Sequence, residues 1–264
     1  MIIINEKNEI GIDDEGFMED LDFNTYIAKA YSSEFDFVRQ VNEYMYCLYG
    51  MIAPQNTDVI GCFLAGTYNK IHKTIQAAVI LASRGLKEQV KILIRSILDK
   101  LMIMQAVCND NHNYNRWMEH QQHEKNRLIR DIKNDEPGLG HLKESIPADK
   151  SLPKGKYTSQ KKWAELADMK EDYNVVYRLF SGNVHYSLNS LEEDICLENG
   201  LPHIMDIGPK YDETRQLIIT LATDALRAAK IVIDYFDVDD VKYRALNSNL
   251  EKRQEDLLTE VSSE

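Results

Sequence analysis

The sequence predicts an all-α protein, an antiparallel helical bundle of about six to eight helices with a small β-hairpin excursion. Three observations carry that expectation. Glycine and proline are sparse, 12 and 6 in 264 residues, so long stretches run without backbone punctuation. Apolar residues recur at helical spacing through most of the chain. Start and stop signals fall where those periodic stretches begin and end.

Residues 1–20 are mixed and acidic and read as a lead-in; residues 21–238 read as a single helical domain, and 239–264 as a charged, partly helical, frayed tail. From Phe23 to Gly50 the positions Tyr26, Ile27, Ala30, Phe37, Val38, Val41, Met45 and Leu48 define a first helix, which Pro54 ends. Asn56 or Thr57 is placed to cap a second helix running to Ser83, with Gly85 at its C-terminal left-handed position. A third helix spans Leu86 to Val107. Its centre, Ile92-Leu93-Ile94-Arg95-Ser96-Ile97-Leu98, is apolar almost all round, as in a deeply buried helix. A more polar fourth helix follows from Tyr114 to Lys133, with Trp117, Leu128 and Ile129 on its apolar side. Residues 134–158 hold Pro137, Pro147 and Pro153, three of the six prolines, together with Gly138, Gly140 and Gly155, and form this chain's longest loop. Ser159 can cap a short helix to Met169, and another helix carries Tyr173, Val176, Tyr177, Phe180 and Val184. Within 195–207, Asn199-Gly200 between short alternating runs signals a hairpin. A long helix from Glu213 to Phe236 closes the domain, with Leu217, Ile218, Leu221, Ala225, Ala228, Ala229 and Val232 as its buried stripe.

Composition narrows the function classes. Apolar residues make up 44% and charged residues 28%, enough for a sizeable core. A net charge of −12 argues against broad coating of nucleic acid, which needs clustered Lys and Arg. A local basic site remains open: Lys150, Lys154, Lys156, Lys161 and Lys162 follow one another with no acid between, which also fits a solvated loop. The four cysteines are far apart and form no paired motif, as expected of a reducing compartment. Met-Ile-Ile-Ile at the start is too short for a signal segment, and no stretch has the apolar length to span a bilayer. The expected location is the cytoplasm, with no membrane association.

One segment has plausible chemistry. In Tyr177-Arg-Leu-Phe-Ser181-Gly-Asn-Val-His185-Tyr-Ser187, residues Arg178, Ser181 and His185 return to nearly one helix face, and Gly182 can bend the segment. An arginine can hold a phosphate through two parallel hydrogen bonds. A histidine can take a proton from a ribose 2′-hydroxyl or give one to the leaving oxygen near neutral pH. On residues alone, the better fit is an arginine that snorkels to an acid and a histidine that bonds between helices. A second place of interest is Arg95, set among isoleucines and leucines. If buried it needs a partner: Asp99 one turn on as a structural pair, or Ser181, His185 or a phosphate as a site. His112, His120 and His123 with Glu119 and Glu124 form a third cluster, read as a solvated helix face because no third metal ligand is evident. There is no Gly-rich phosphate loop, Gly-x-Ser-x-Gly elbow or paired cysteine motif, and no metal or cofactor is expected.

The Arg178–His185 spacing resembles the Arg-x(4–6)-His signature of the HEPN superfamily, helical proteins prominent among prokaryotic RNases and defence toxins. The segment is also similar to that of an uncharacterised family of bacterial helical proteins bearing a Tyr-x-x-Leu-Ser-x-x-x-His-x-Ser-like stretch. An earlier Arg-Ser-x-x-(Glu/Asp) element of that family is matched here by Arg95-Ser96-Ile97-Leu98-Asp99. The resemblance spans roughly residues 60–235. It implies a metal-independent endoribonuclease, a stress or phage-defence effector working as a homodimer. Arg178, His185 and Ser181 would form its catalytic group; Arg95, Asp99, Tyr177 and Asn183 would bind substrate, with Lys154, Lys156 and Lys161 steering RNA or nucleotide. The alternative is a non-catalytic HEPN-like module binding nucleotide, RNA or a protein partner, for Leu179 stands where HEPN enzymes commonly have a polar residue.

Overall fold

The fold is seen in a computed structural model that describes residues 2–3, 30–52, 54–55, 57–134, 137–138, 141–142, 155–184, 195–198, 201–205, 213–239 and 241–261. Helices dominate: α1 (Ser32–Leu48), α2 (Val59–Ser83), α3 (Lys87–Asn109), α4 (His112–Lys133) and α5 (Gln160–Leu166) precede a short α6 (Lys170–Asp172). A π-helical turn, Tyr173–Tyr177, leads from α6 into α7 (Arg178–Val184), and α8 (Thr214–Phe236) and α9 (Val241–Val261) complete the helices. The all-α class holds for the bulk of the molecule. Strand β1 (Ile2–Ile3) pairs in parallel with β3 (Leu201–Met205), which pairs antiparallel with β2 (Ile195–Glu198), giving the order β1-β3-β2. The register shifts between Cys196 and Leu197, and Pro202 stands opposite Leu197. Proline has no N–H for a regular ladder, so an irregular position suits it.

The chain forms two compact units, one of residues 1–101 and 171–264 and one of residues 102–170. In the first, α8 packs on α1 and α2, and α9 packs on α8 and α1. Alanines at 222, 225, 228 and 229 on α8 are fully buried, and such small side chains let helices approach closely. Phe37, Met45, Leu64, Ile71, Ile75, Leu221 and Val232 fill the core, each worth about 1.5–3 kcal/mol by burial. Residues 241–261, read from sequence as part of a frayed tail, are helical. Leu246 and Leu250 are buried, Arg253 lies 4.6 Å over the Phe37 ring, and its guanidinium donates to Ser33.

The start of α2 differs from the sequence reading, and the start of α8 adds a detail to it. The cap of α2 is Asp58, whose carboxylate accepts from the Gly61 amide at 2.8 Å and from the Tyr235 hydroxyl at 2.9 Å. A Cβ at Gly61 would lie 2.2 Å from that carboxylate, so the glycine is what admits the cap. Glu213 precedes α8 in the left-handed region (φ 64°), and its carboxylate meets Lys91 at 3.0 Å and Lys87 at 3.8 Å. Both lysines are buried, where an unpaired charge would be costly. The end of α2 follows expectation: Gly85 has φ 66°, and the Leu86 amide reaches back to the Leu81 carbonyl.

The second unit holds most of α4 and α5 against the end of α3. Asn113 is buried and donates to the Ala106 carbonyl, and Asn109 donates to the Leu166 carbonyl. Ser159 caps α5 by accepting from the Lys162 amide, and Asp168 stops it in the left-handed region (φ 57°). Trp163 is fully buried there.

Candidate functional site

Arg95 sits on α3 between turns whose neighbours Ile94, Ile97 and Leu98 are buried. A guanidinium in that setting must find acceptors. It donates through Nε to the Ser181 Oγ at 3.1 Å and through Nη2 to the Tyr177 hydroxyl at 2.8 Å. Its carbon also lies 4.8 Å from the Tyr177 ring centroid, a cation–π distance. Ser181 donates in turn to the Tyr177 carbonyl at 2.7 Å, one helical turn back, so its hydroxyl is fixed in both roles. The Tyr177 ring is buried and stacks on Tyr173, centroids 5.1 Å apart and planes 20° off parallel.

Asp99, one turn beyond Arg95, does not form the direct ion pair that was one of the two expectations for it. Burial raises its carboxyl above the ordinary aspartate value, while the Arg95 charge and the Tyr177 hydroxyl pull it down. One of its oxygens, Oδ1, is buried without a hydrogen-bond partner among the described residues. The Tyr177 hydroxyl is pushed up to about 12, first by burial and then by Asp99, with Arg95 opposing. Next to it on α3, Lys100 donates to the Ser96 carbonyl and hydroxyl, both at 2.7 Å. Burial lowers its pKa, Asp99 raises it, and Lys70 lowers it further.

Thus two strings 82–86 residues apart in sequence meet through one arginine. Residues 62–200, just over half of the chain, match a family of unknown function, DUF5677. The chain belongs to the DUF5677 family. No curated protein and no solved structure matches it. The DUF5677 region contains both strings, whereas α8 and α9 lie beyond it.

The other sequence-derived candidates divide clearly. Arg178 and Leu179 are exposed on α7, Leu179 at 69%, and Arg178 does not join the Arg95 network. His185 and Lys154, like the basic residue Lys150, lie outside the described residues, as does the side chain of Asn183. Lys156 and Lys161 are exposed and belong to the second unit, and Lys162 pairs with Glu165 at 3.0 Å.

The histidine cluster of α4 is not a bare solvated face, because residues 155–158 lie along it. Thr158 donates its amide to His120 Nδ1 at 3.1 Å, and Lys156 donates its amide to the Glu119 carbonyl at 3.2 Å. The Tyr157 ring sits 5.3 Å from His120 and 5.7 Å from His123. Burial lowers the pKa of His120; Glu124 opposes and His123 adds to the lowering. Among the described residues no three His, Cys, Asp or Glu side chains are arranged to hold a metal, and no helix is long and apolar enough to cross a membrane.

Two residues escaped the sequence reading as site candidates. Tyr173 is one, although its spacing four before Tyr177 was visible. Asp224 is the other, an acid within the apolar stripe of α8. It is 2% exposed, its Oδ2 has no partner among the described residues, and burial pushes its carboxyl up to about 8. Arg227 lowers that value and Asp172 raises it; those two form an ion pair beside a 330 Å³ cavity lined also by Glu171, Val175 and Val176.

Proposed function

We propose that this DUF5677 protein is a HEPN-like, metal-independent endoribonuclease, a cytoplasmic stress or phage-defence effector that works as a homodimer. The observation that carries this reading is the Arg95 clasp. By holding Tyr177 and Ser181, it anchors the helical segment that bears Arg178 and runs on in sequence to His185. Rigid support for a reacting group is what positions it for chemistry.

In the proposed reaction His185 removes the proton of a ribose 2′-hydroxyl, whose oxygen attacks the adjacent phosphorus. The phosphorus–5′-oxygen bond breaks, and the leaving oxygen takes a proton from the histidine of the second copy. The products are a 2′,3′-cyclic phosphate and a 5′-hydroxyl. Arg178, exposed and permanently charged, offsets the charge that builds on the phosphoryl oxygens. Arg95, Ser181, Asp99, Tyr177 and Asn183 position it, and Lys154, Lys156 and Lys161 attract RNA to an acidic molecule.

The test is cleavage of single-stranded RNA by purified protein in EDTA. Wild type should leave 2′,3′-cyclic phosphate ends, and His185→Ala should fold with unchanged circular dichroism and cut nothing. Cleavage by His185→Ala at the wild-type rate refutes the assignment. Leu179, apolar and exposed beside Arg178, favours a second reading, a non-catalytic module that binds nucleotide, RNA or a protein partner. That reading predicts tight binding without cleavage.

A further inference from the structure

Tyr173 has no part in the chemistry above, yet it is joined to the site by direct contact. Its ring stacks on Tyr177 (5.1 Å, 20°), and Tyr177 is itself locked by Arg95 at its hydroxyl and by burial. The inner member of this pair therefore cannot swing away, whereas Tyr173 is only partly buried. The pair lies on a π-helical turn, a wider turn that recurs at functional sites. Two contacts, of 4.8 and 5.1 Å, separate the Arg95 guanidinium carbon from the Tyr173 ring. Arg95 spends Nε and Nη2 on protein acceptors, and its Nη1 donors have no partner among the described residues.

We propose that Tyr173 is a nucleobase-stacking residue, so that the site takes an unpaired base of single-stranded RNA with its phosphate directed to Arg95. This rests on the RNA reading above and gives it a substrate class. Aromatic side chains bind unpaired bases by their faces, which are shielded within a duplex, and the preference is tolerant of sequence. A strand held this way has its bases splayed, which frees each 2′-hydroxyl from A-form geometry.

Binding can be measured apart from cutting by using a fully 2′-O-methylated single-stranded RNA, which has no free 2′-hydroxyl to attack. With full-length protein and fluorescence anisotropy, Tyr173→Ala should weaken binding about 5- to 150-fold, the range for losing one stacked base. Tyr173→Phe and Tyr173→Trp should stay within about two-fold of wild type, and an RNA with abasic sites should bind wild type and Tyr173→Ala equally poorly. A 2-aminopurine in the strand should be quenched on wild type and brighten on Tyr173→Ala. The idea is overturned if wild type does not bind the methylated strand, if Tyr173→Ala binds it like wild type, or if the duplex binds as well. The two claims separate cleanly. Normal RNA binding by Tyr173→Ala with an inactive His185→Ala removes the stacking role and keeps the nuclease. A Tyr173-dependent binder that cuts nothing keeps the stacking role and removes the nuclease.

Discussion

Replacing Asp224 by Asn should flatten part of the pH dependence of stability. In the unfolded chain this carboxyl ionises near the ordinary value of 3.8, and in the folded protein it holds its proton to about 8. Between those values the folded state binds the extra proton, so its stability falls as pH rises. The contribution is fully present below pH 3.8 and is lost progressively up to about 8. Each pH unit in the middle of that window is worth about 1.4 kcal/mol. From pH 5 to 7 wild type should lose about 2–3 kcal/mol relative to Asp224→Asn, with a smaller further loss by pH 8. The amide imitates the neutral acid in shape but has no proton to release. Urea denaturation of both proteins at pH 5, 6, 7 and 8, compared as differences, removes the titrations they share. A constant difference across that range would refute the reasoning and place an ionised carboxylate in the core.

Two further outcomes test the packing around the candidate sites. Arg95→Lys exchanges a planar fork for a single ammonium that cannot serve Tyr177 and Ser181 together, and should cost about 1.5–3 kcal/mol in thermal or chemical denaturation; an unchanged midpoint would contradict the clasp. Gly155→Ala would place a Cβ 2.2 Å from the His123 amide nitrogen and 2.7 Å from the Glu119 carbonyl oxygen. It should lift residues 155–158 off α4 at a cost of about 1–3 kcal/mol, read as lost hydrogen-exchange protection of the Thr158 amide.

The helices were legible because their signals are local. Ser159 as a cap, Gly85 as a stop and the stripe of α8 all follow from neighbours within a few residues. Asp58 was overlooked as the cap of α2 because its fit depends on the missing side chain of Gly61. The candidate site was half legible. Periodicity marked Arg95 as a charge in need of partners, but those considered from residue chemistry (Asp99, Ser181, His185 or a phosphate) included Ser181 and not the Tyr177 hydroxyl. No local pattern states that α3 meets a helix more than 80 residues later. For the same reason the one-face grouping of Arg178 with Ser181 did not foresee that Ser181 would be engaged by Arg95 while Arg178 stays exposed.

The Arg95–Tyr177 contact also has a meaning in time. It closes a loop of 82 residues, and in sequence the whole of the second unit, residues 102–170, falls within that loop. Closing so long a loop costs on the order of 4 kcal/mol of chain entropy, comparable to the two hydrogen bonds gained, so the clasp can form only once flanking helices are packed. During synthesis at about 5–20 residues per second, Arg95 emerges several seconds before Ser181. A nascent chain from which Ser181 has not yet emerged therefore holds Arg95 without its partners, and the clasp is a late event in the folding of this unit.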